Sequence, residues 1–362
     1  MEKFFNIAGP CIPAEHYMLP ALDRLPEIQR LVARRQCFVI HAPRQTGKTT
    51  AIQALVREIN AKGDMVALYC TLETLQNATD PDKTNRAIQN LLFDNYCAAF
   101  PDNCDPVGQQ NNVSESKGIE FAVRTALREL CRRAGKPLVV FFDEADCLFG
   151  NVLISFLRQL RDGYVNRADI PFPASIALVG MLDVRDYKAQ MRPDVESLGQ
   201  ISPFNIISED MMLRNFTAEE VASLYAQHTA ATGQQFASDV LDAVVDWTGG
   251  QPWLVNAIAR ECVEKIHAFR YGDTITAADI ETAKETIIRE NPIHLDYLFY
   301  IANHPSVRPF MDAALDGSIT EEQRNERNFR LLLHLGILSD DGCRLEFTNL
   351  LYKEYWGRRT AA

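Results

Sequence analysis

The pattern of apolar and polar positions changes character once along the chain, near residue 208. Before that point, short unbroken apolar runs alternate with stretches in which apolar residues recur every three or four positions. The runs at 37–41, 65–70, 138–142 and 175–180 predict buried strands, and Phe204-Asn205-Ile206-Ile207 predicts a short fifth. Between them, Ile52, Leu55, Val56 and Ile59 share one face of a helix that Gly63 stops. Further helices are expected over 84–98, over 119–134 (Ile119, Val123, Ala126, Leu127, Leu130, ending at Gly135) and over 151–164 (Leu153, Leu157, Leu160, Tyr164). Residues 101–117, polar and rich in turn formers, read as an exposed loop. Strands that are apolar throughout and alternate with helices imply a parallel sheet covered on both faces, an α/β fold.

After residue 208 the pattern is helical. Thr217-Ala218-Glu219-Glu220 is a capping box, Ser238 or Asp239 opens a second helix that ends at Thr248-Gly249-Gly250, and Pro252 opens a third, expected to run through about Phe269. Thr276-Ala277-Ala278-Asp279 starts a fourth. Further on, Gly336-Ile337-Leu338-Ser339 and Arg344-Leu345-Glu346-Phe347 flank the turn Asp340-Asp341-Gly342. A helix leading into such a hairpin suggests a winged helix. The expected organisation is therefore an α/β domain at 1–208, a helical domain at 209–290 and a winged-helix domain at 291–362.

Composition narrows the class. Of 362 residues, 47% are hydrophobic and 23% charged, and no apolar run reaches membrane-spanning length, so a soluble cytoplasmic protein is expected. The nine cysteines form no Cys-x-x-Cys pair, which removes a thiolate zinc site and points to buried, reduced thiols. A net charge of −11 opposes non-specific binding of duplex DNA by the whole surface.

Chemistry concentrates where the first strand ends. Ala42-Pro43-Arg44-Gln45-Thr46-Gly47-Lys48-Thr49 matches the phosphate-binding template G-x-x-x-x-G-K-[ST], except that Ala stands for the first Gly. That substitution needs only that residue 42 avoid a positive φ. In this context the backbone N–H groups from about Gln45 to Thr49, with Thr50 following, can wrap a β-phosphate at the positive end of a helix. Lys48 can reach the β- and γ-phosphates, and the Thr49 hydroxyl can ligate Mg²⁺. The third strand ends in Phe141-Phe142-Asp143-Glu144. Asp143 is placed to hold Mg²⁺ and Glu144 to polarise an attacking water. The string Asp143-Glu144-Ala145-Asp146 also spells a helicase signature, but the second domain and linker motif of those enzymes are missing.

With these motifs in hand, the chain resembles the AAA-like branch of P-loop ATPases, near the STAND class and the archaeal and origin-recognition-type ATPases. The resemblance rests on "HAPRQTGKTT", "LVVFFDEAD", "LVGMLDVRDYK", "NFTAEEVASLY", "TGGQPWLVNAIA" and "LGILSDDGCRLEFTNLLYKEYW". It implies a five-stranded sheet of order 5-1-4-3-2, a helical lid and a winged helix, with ATP and Mg²⁺ as cofactors. It implies adenine contacts from the segment before the first strand, here Tyr17 or Met18, and from Pro252 in Gly250-Gln251-Pro252. A polar sensor is implied after the fourth strand, with Arg185 preferred to Asp183; a surface ion pair is the alternative. Arg161 and Arg192 are weaker candidates for an arginine finger.

The implied function is an ATP-binding and ATP-hydrolysing switch acting on an unknown protein partner, with nucleotide-dependent self-association open. Alternatives are a DNA-associated ATPase and a scaffold that binds nucleotide without cleaving it. Arg324, Arg327 and Arg330 could face phosphates from one helix over 322–334. However, 291–362 holds eight basic and ten acidic residues, which favours partner docking over nucleic acid.

Overall fold

The computed structural model describes residues 2–104, 118–183, 187, 203–290, 292–342 and 344–360. The strands β1 (Cys37–His41), β2 (Val66–Thr71), β3 (Leu138–Asp143), β4 (Ser175–Gly180) and β5 (Ile207–Met212) form one parallel sheet of order β2-β3-β4-β1-β5. Read from the other edge, this is the order implied by the resemblance. β1, β3 and β4 are buried along nearly all their length, as a sheet covered on both faces demands.

The sheet is interleaved with α1 (Ile28–Ala33), α2 (Lys48–Lys62), α3 (Pro81–Ala99), α4 (Ala122–Ala134) and α5 (Gly150–Val165). α3 starts earlier than its periodicity suggested, because Asp80 caps it by accepting from the amides of Asp82 and Lys83 while Pro81 takes the first helical position. The apolar faces of α3, α4 and α5 close one core against the sheet, with Leu92, Tyr96, Leu127, Leu130, Phe142 and Phe156 at or near zero exposure.

Two sequence expectations are corrected in this part of the chain. The fifth strand is not 204–207: Pro203–Ile206 is a 3₁₀ turn, and the strand follows it. β5 lies at the sheet edge with Ser208, Glu209 and Asp210 exposed, so it lacks the continuous apolar run of a central strand. The thiols are not all reduced either. Cys97, in the last turn of α3, is disulfide-bonded to Cys104 with their Cα atoms 5.2 Å apart, because the short turn Pro101–Asn103 reverses the chain. Cys37, Cys70 and Cys131 keep the expected character, burial pushing each thiol up to about 12.

Backbone contacts divide the chain into two units. One comprises residues 22–41 and 48–213, and holds the sheet and α1–α5. The other comprises 1–21, 42–47 and 214–362. Its helices are α6 (Ala218–Thr232), α7 (Val240–Thr248), α8 (Pro252–Arg260), α9 (Ala277–Glu290), α10 (Ile293–Ala302), α11 (Arg308–Asp316), α12 (Glu321–Arg324), α13 (Arg327–His334) and α14 (Leu350–Thr360). Thr217 and Glu220 make the expected reciprocal cap of α6. The helix opened by Pro252 is shorter than expected, giving way at Glu261–Ile266 to a π-helical turn. The single helix expected over 322–334 is two, broken at Asn325 and Glu326. That break turns Arg324 onto Asp340, with Nη1 2.8 and 2.9 Å from the carboxylate oxygens, so the three arginines do not share a helix face. The hairpin is β6 (Leu338–Asp340) and β7 (Leu345–Phe347), antiparallel, with Leu338 opposite Phe347.

Candidate nucleotide site

Register places the reactive chain segments at the carboxyl ends of neighbouring strands. Asp143 lies opposite Thr71 of β2, and His41, the last residue of β1, lies opposite Gly180, the last of β4. Open α/β sheets bind ligands at this end.

Within the sheet unit, α2 begins at Lys48, whose side chain is largely enclosed. Thr49, in the same first turn, donates its hydroxyl to Asp143 Oδ2 at 2.7 Å. Tyr69 donates its phenol to the same oxygen at 2.9 Å, and the Glu144 amide donates to Asp143 Oδ1 at 3.0 Å. Three donors thus satisfy a carboxylate that is only 1% exposed. Burial, then the Asp143 charge, holds the Tyr69 phenol well above its usual range, so it stays a donor. Glu144 adopts a left-handed backbone, φ 54° and ψ 40°. For a residue with a Cβ this costs about 1–2 kcal/mol, and such strain clusters at functional sites. It turns the chain off β3 directly into the one-turn helix Ala145–Cys147.

The loop before Lys48 is shaped for an anion. Gln45 (φ 60°) and Gly47 (φ 89°) are both left-handed, and alternation of hand turns successive amides toward one side. Thr46 Oγ1 donates to the Pro43 carbonyl at 2.8 Å, which pins the turn. Ala42 is fully buried and is not among the left-handed residues, so a methyl group is tolerated there.

Residues 42–47 cluster with the helical unit, and their contacts within it are specific. Gln251 caps α8 by accepting from Leu254, while its amide nitrogen lies 3.5 Å from the Gln45 carbonyl. The Arg44 guanidinium sits 4.8 Å over the Tyr297 ring of α10. A Cβ on Gly336, a residue at φ 69°, would stand 2.7 Å from Pro43 Cγ, so this approach requires glycine.

The same unit holds the implied adenine residues. Pro252 is buried at the first position of α8. Trp253, next to it, donates to the Ile7 carbonyl at 2.9 Å. Tyr17 is 2% exposed, its ring centroid 4.9 Å from Phe5 and 5.5 Å from His228, with its hydroxyl 3.3 Å from His228 Nδ1. Met18 is held by its backbone, which exchanges two hydrogen bonds with the Gln227 side chain. Arg185 and Arg192 lie outside the described residues. Arg161 donates to Asn205 Oδ1 at 2.7 Å.

The donor set suits magnesium. A hydroxyl and a carboxylate 2.7 Å apart are hard oxygen ligands, and Mg²⁺ characteristically takes one or two such groups plus substrate phosphate. Among the described residues there is no cluster of three or more His, Cys, Asp or Glu that would make a separate all-protein metal cage. Nor does any helix among them have the length and apolarity to cross a membrane. Tyr69 was missed by motif reading. A tyrosine on the strand next to the acidic one was the available signal for it.

A family model for an AAA-like domain matches residues 26–358. The chain belongs to this AAA-like family. Its fold is shared with a Walker-type ATPase of Pyrococcus abyssi, at 14% identity and a TM-score of 0.64 over 98% of this chain and 99% of that one. The Cdc6p protein of Pyrobaculum aerophilum is similar at 16% identity and a TM-score of 0.50, over 93% of each chain. In sequence, an uncharacterized WD repeat-containing protein of Synechocystis sp. is 25% identical over 283 residues. That match takes in 74% of this AAA-like chain but spans only 22% of the relative's length.

Proposed function

We propose that this AAA-like protein binds ATP with Mg²⁺ and hydrolyses it, as a nucleotide-dependent switch. The observation that carries the reading is the donor arrangement around Asp143, in which Thr49, from the first turn of α2, and Asp143, from the end of β3, meet directly. The loop from Ala42 into α2 is the phosphate cradle: amides from Gln45 to Thr50 surround the β-phosphate and Lys48 neutralises charge on the β- and γ-phosphates. Thr49 and Asp143 hold the magnesium ion, which when bound screens charge on the phosphate oxygens. Glu144 orients and deprotonates the attacking water. Tyr17 or Met18, together with Pro252, borders the adenine, and Arg185 senses the γ-phosphate.

The organisation proposed with this role is an ATPase domain at 1–208, a helical lid at 209–290 and a winged helix at 291–362. A change in the loop at 42–47 is felt within its own unit by Gln251, Tyr297 and Gly336, which supports a switch whose output is a protein partner. The WD repeat-containing relative supports the same view, since there the similar segment is part of a chain named for a module that is not an ATPase. Duplex DNA is less favoured, with Arg324 held by Asp340. The proposed setting is the cytoplasm.

The test is binding of a fluorescent ATP analogue with and without Mg²⁺, together with phosphate release. Lys48→Ala is expected to abolish binding. Glu144→Gln is expected to keep binding and slow release by about 10²–10⁴-fold. Wild-type protein with no magnesium-dependent affinity for any purine triphosphate refutes the proposal; equal release by wild type and Glu144→Gln leaves a binding scaffold only.

A further inference from the structure

The last residue of the Asp143-Glu144-Ala145-Asp146 string has no part in the reading above, yet its side chain is tied to the sheet. Asp146 lies in the one-turn helix that follows Glu144. Its Oδ2 accepts the Met181 amide at 3.1 Å, just past the end of β4. Its Oδ1 is buried and accepts no hydrogen bond from the described residues. The space it occupies is kept open by the absence of a side chain at Gly180: a Cβ there would stand 2.4 Å from Asp146 Oδ1 and 3.1 Å from the Tyr187 hydroxyl. Gly180 has no positive φ, so its need for glycine is steric, and Asp146 is the main cause.

These contacts join two strand ends that β-ladder bonding does not join. The β3–β4 ladder stops at Phe142 opposite Leu178, one residue before Asp143. Beyond it the chain turns through the strained Glu144, and the Asp146–Met181 bond ties that turn to the end of β4. We propose that Asp146 is a positioning residue for hydrolysis: by holding the Met181 amide at the end of β4 it fixes the turn that aims Glu144. The inference rests on the ATPase reading and adds to it a residue that touches neither nucleotide nor metal. A residue acting this way lowers turnover while leaving ground-state nucleotide affinity intact.

The experiment is steady-state phosphate release, with ATP-analogue affinity and thermal stability measured on the same preparations. Asp146→Ala is expected to lower kcat about tenfold or more, the worth of one charge-assisted hydrogen bond, with KM and analogue affinity within about twofold. Asp146→Asn, whose carbonyl oxygen still accepts the Met181 amide, is expected to restore kcat to within about threefold of wild type. Gly180→Ala, which pushes the carboxylate off that amide, is expected to mimic Asp146→Ala. Wild-type kcat in Asp146→Ala overturns the proposal. So does a loss of affinity and stability in step with kcat, or an Asp146→Asn variant as slow as Asp146→Ala. Should Asp146→Ala not fold, Asp146→Asn and Gly180→Ala decide. A wild-type rate equal to that of Glu144→Gln sinks the ATPase reading and this proposal together, whereas an active wild type matched by Asp146→Ala sinks this proposal alone.

Discussion

Removing one hydroxyl should reveal how the buried carboxylate of Asp143 is held. In Tyr69→Phe the ring stays and only the donor to Asp143 Oδ2 at 2.9 Å is lost. A hydrogen bond to an ionised group contributes about 1.5–3 kcal/mol, roughly twice a neutral one. The upper part of that range applies because Asp143 is 1% exposed and water cannot step in freely. Two donors remain, Thr49 at 2.7 Å and the Glu144 amide at 3.0 Å, so the acid is weakened rather than abandoned. The expected loss is about 2.5 kcal/mol, confined to the unit containing residues 22–41 and 48–213. Urea denaturation followed by far-ultraviolet circular dichroism measures it. Tryptophan fluorescence does not, because Trp247, Trp253 and Trp356 all lie in the other unit. A double-mutant cycle isolates the pair. In an Asp143→Ala background the phenol has lost its acceptor, so Tyr69→Phe should cost nothing there or stabilise slightly. An equal cost in both backgrounds, or a cost under about 0.5 kcal/mol in wild type, refutes the account.

Two further outcomes follow from the helical unit. Gly336→Ala places a methyl group 2.7 Å from Pro43 Cγ in a backbone at φ 69°, and should destabilise this unit by about 1–3 kcal/mol, read by tryptophan fluorescence in urea; an unchanged midpoint sinks the reading of that contact. His294 is buried against Trp253 with Nε2 2.9 Å from the Tyr352 hydroxyl, and burial, reinforced by the nearby Arg44 charge, lowers its pKa to about 4. The unfolded chain therefore binds the proton more tightly than the folded one, so stability is full above about pH 6.5 and falls as pH drops toward 4, by about 3 kcal/mol in all. His294→Gln should flatten that slope, and the same slope in both proteins would show that other groups cause it.

What was legible in the sequence divides by the range of the forces involved. β1, β3 and β4 are buried on both faces, so burial writes itself into unbroken apolar runs that need no structure to read. β5 is an edge strand with Ser208, Glu209 and Asp210 all exposed, and its Ile-Ser-Glu-Asp-Met-Met run carries too little of that signal. The loop at 42–47 was legible as a candidate phosphate site because such a site depends on backbone and consecutive residues. The contacts of Tyr69 and Asp146 were not, since each acts on a partner far away in sequence, 74 residues to Asp143 in one case and 35 to Met181 in the other. The Cys97–Cys104 bond was hidden for a related reason: helix α3 and the turn after it had to be in place before the two Cα atoms could come within 5.2 Å.

The loop at 42–47 shows the same principle from the other side. The motif leaves the side chains of Pro43, Arg44 and Gln45 unspecified and uses only their backbone. In the structure their side chains and carbonyls answer to Gly336, Tyr297 and Gln251. The variable positions of a phosphate loop have no duty toward the anion, because the amides that bind it belong to the backbone. They are therefore the positions free to be chosen for packing against another part of the chain. A proline that demands glycine opposite and an arginine stacked on a tyrosine are specific choices, each intolerant of displacement by an ångström or so. Any movement of the loop's backbone is thereby felt at α8, α10 and the turn before β6. The residues that the motif leaves unspecified are the ones through which this chain makes its phosphate loop sensitive to the rest of its own unit.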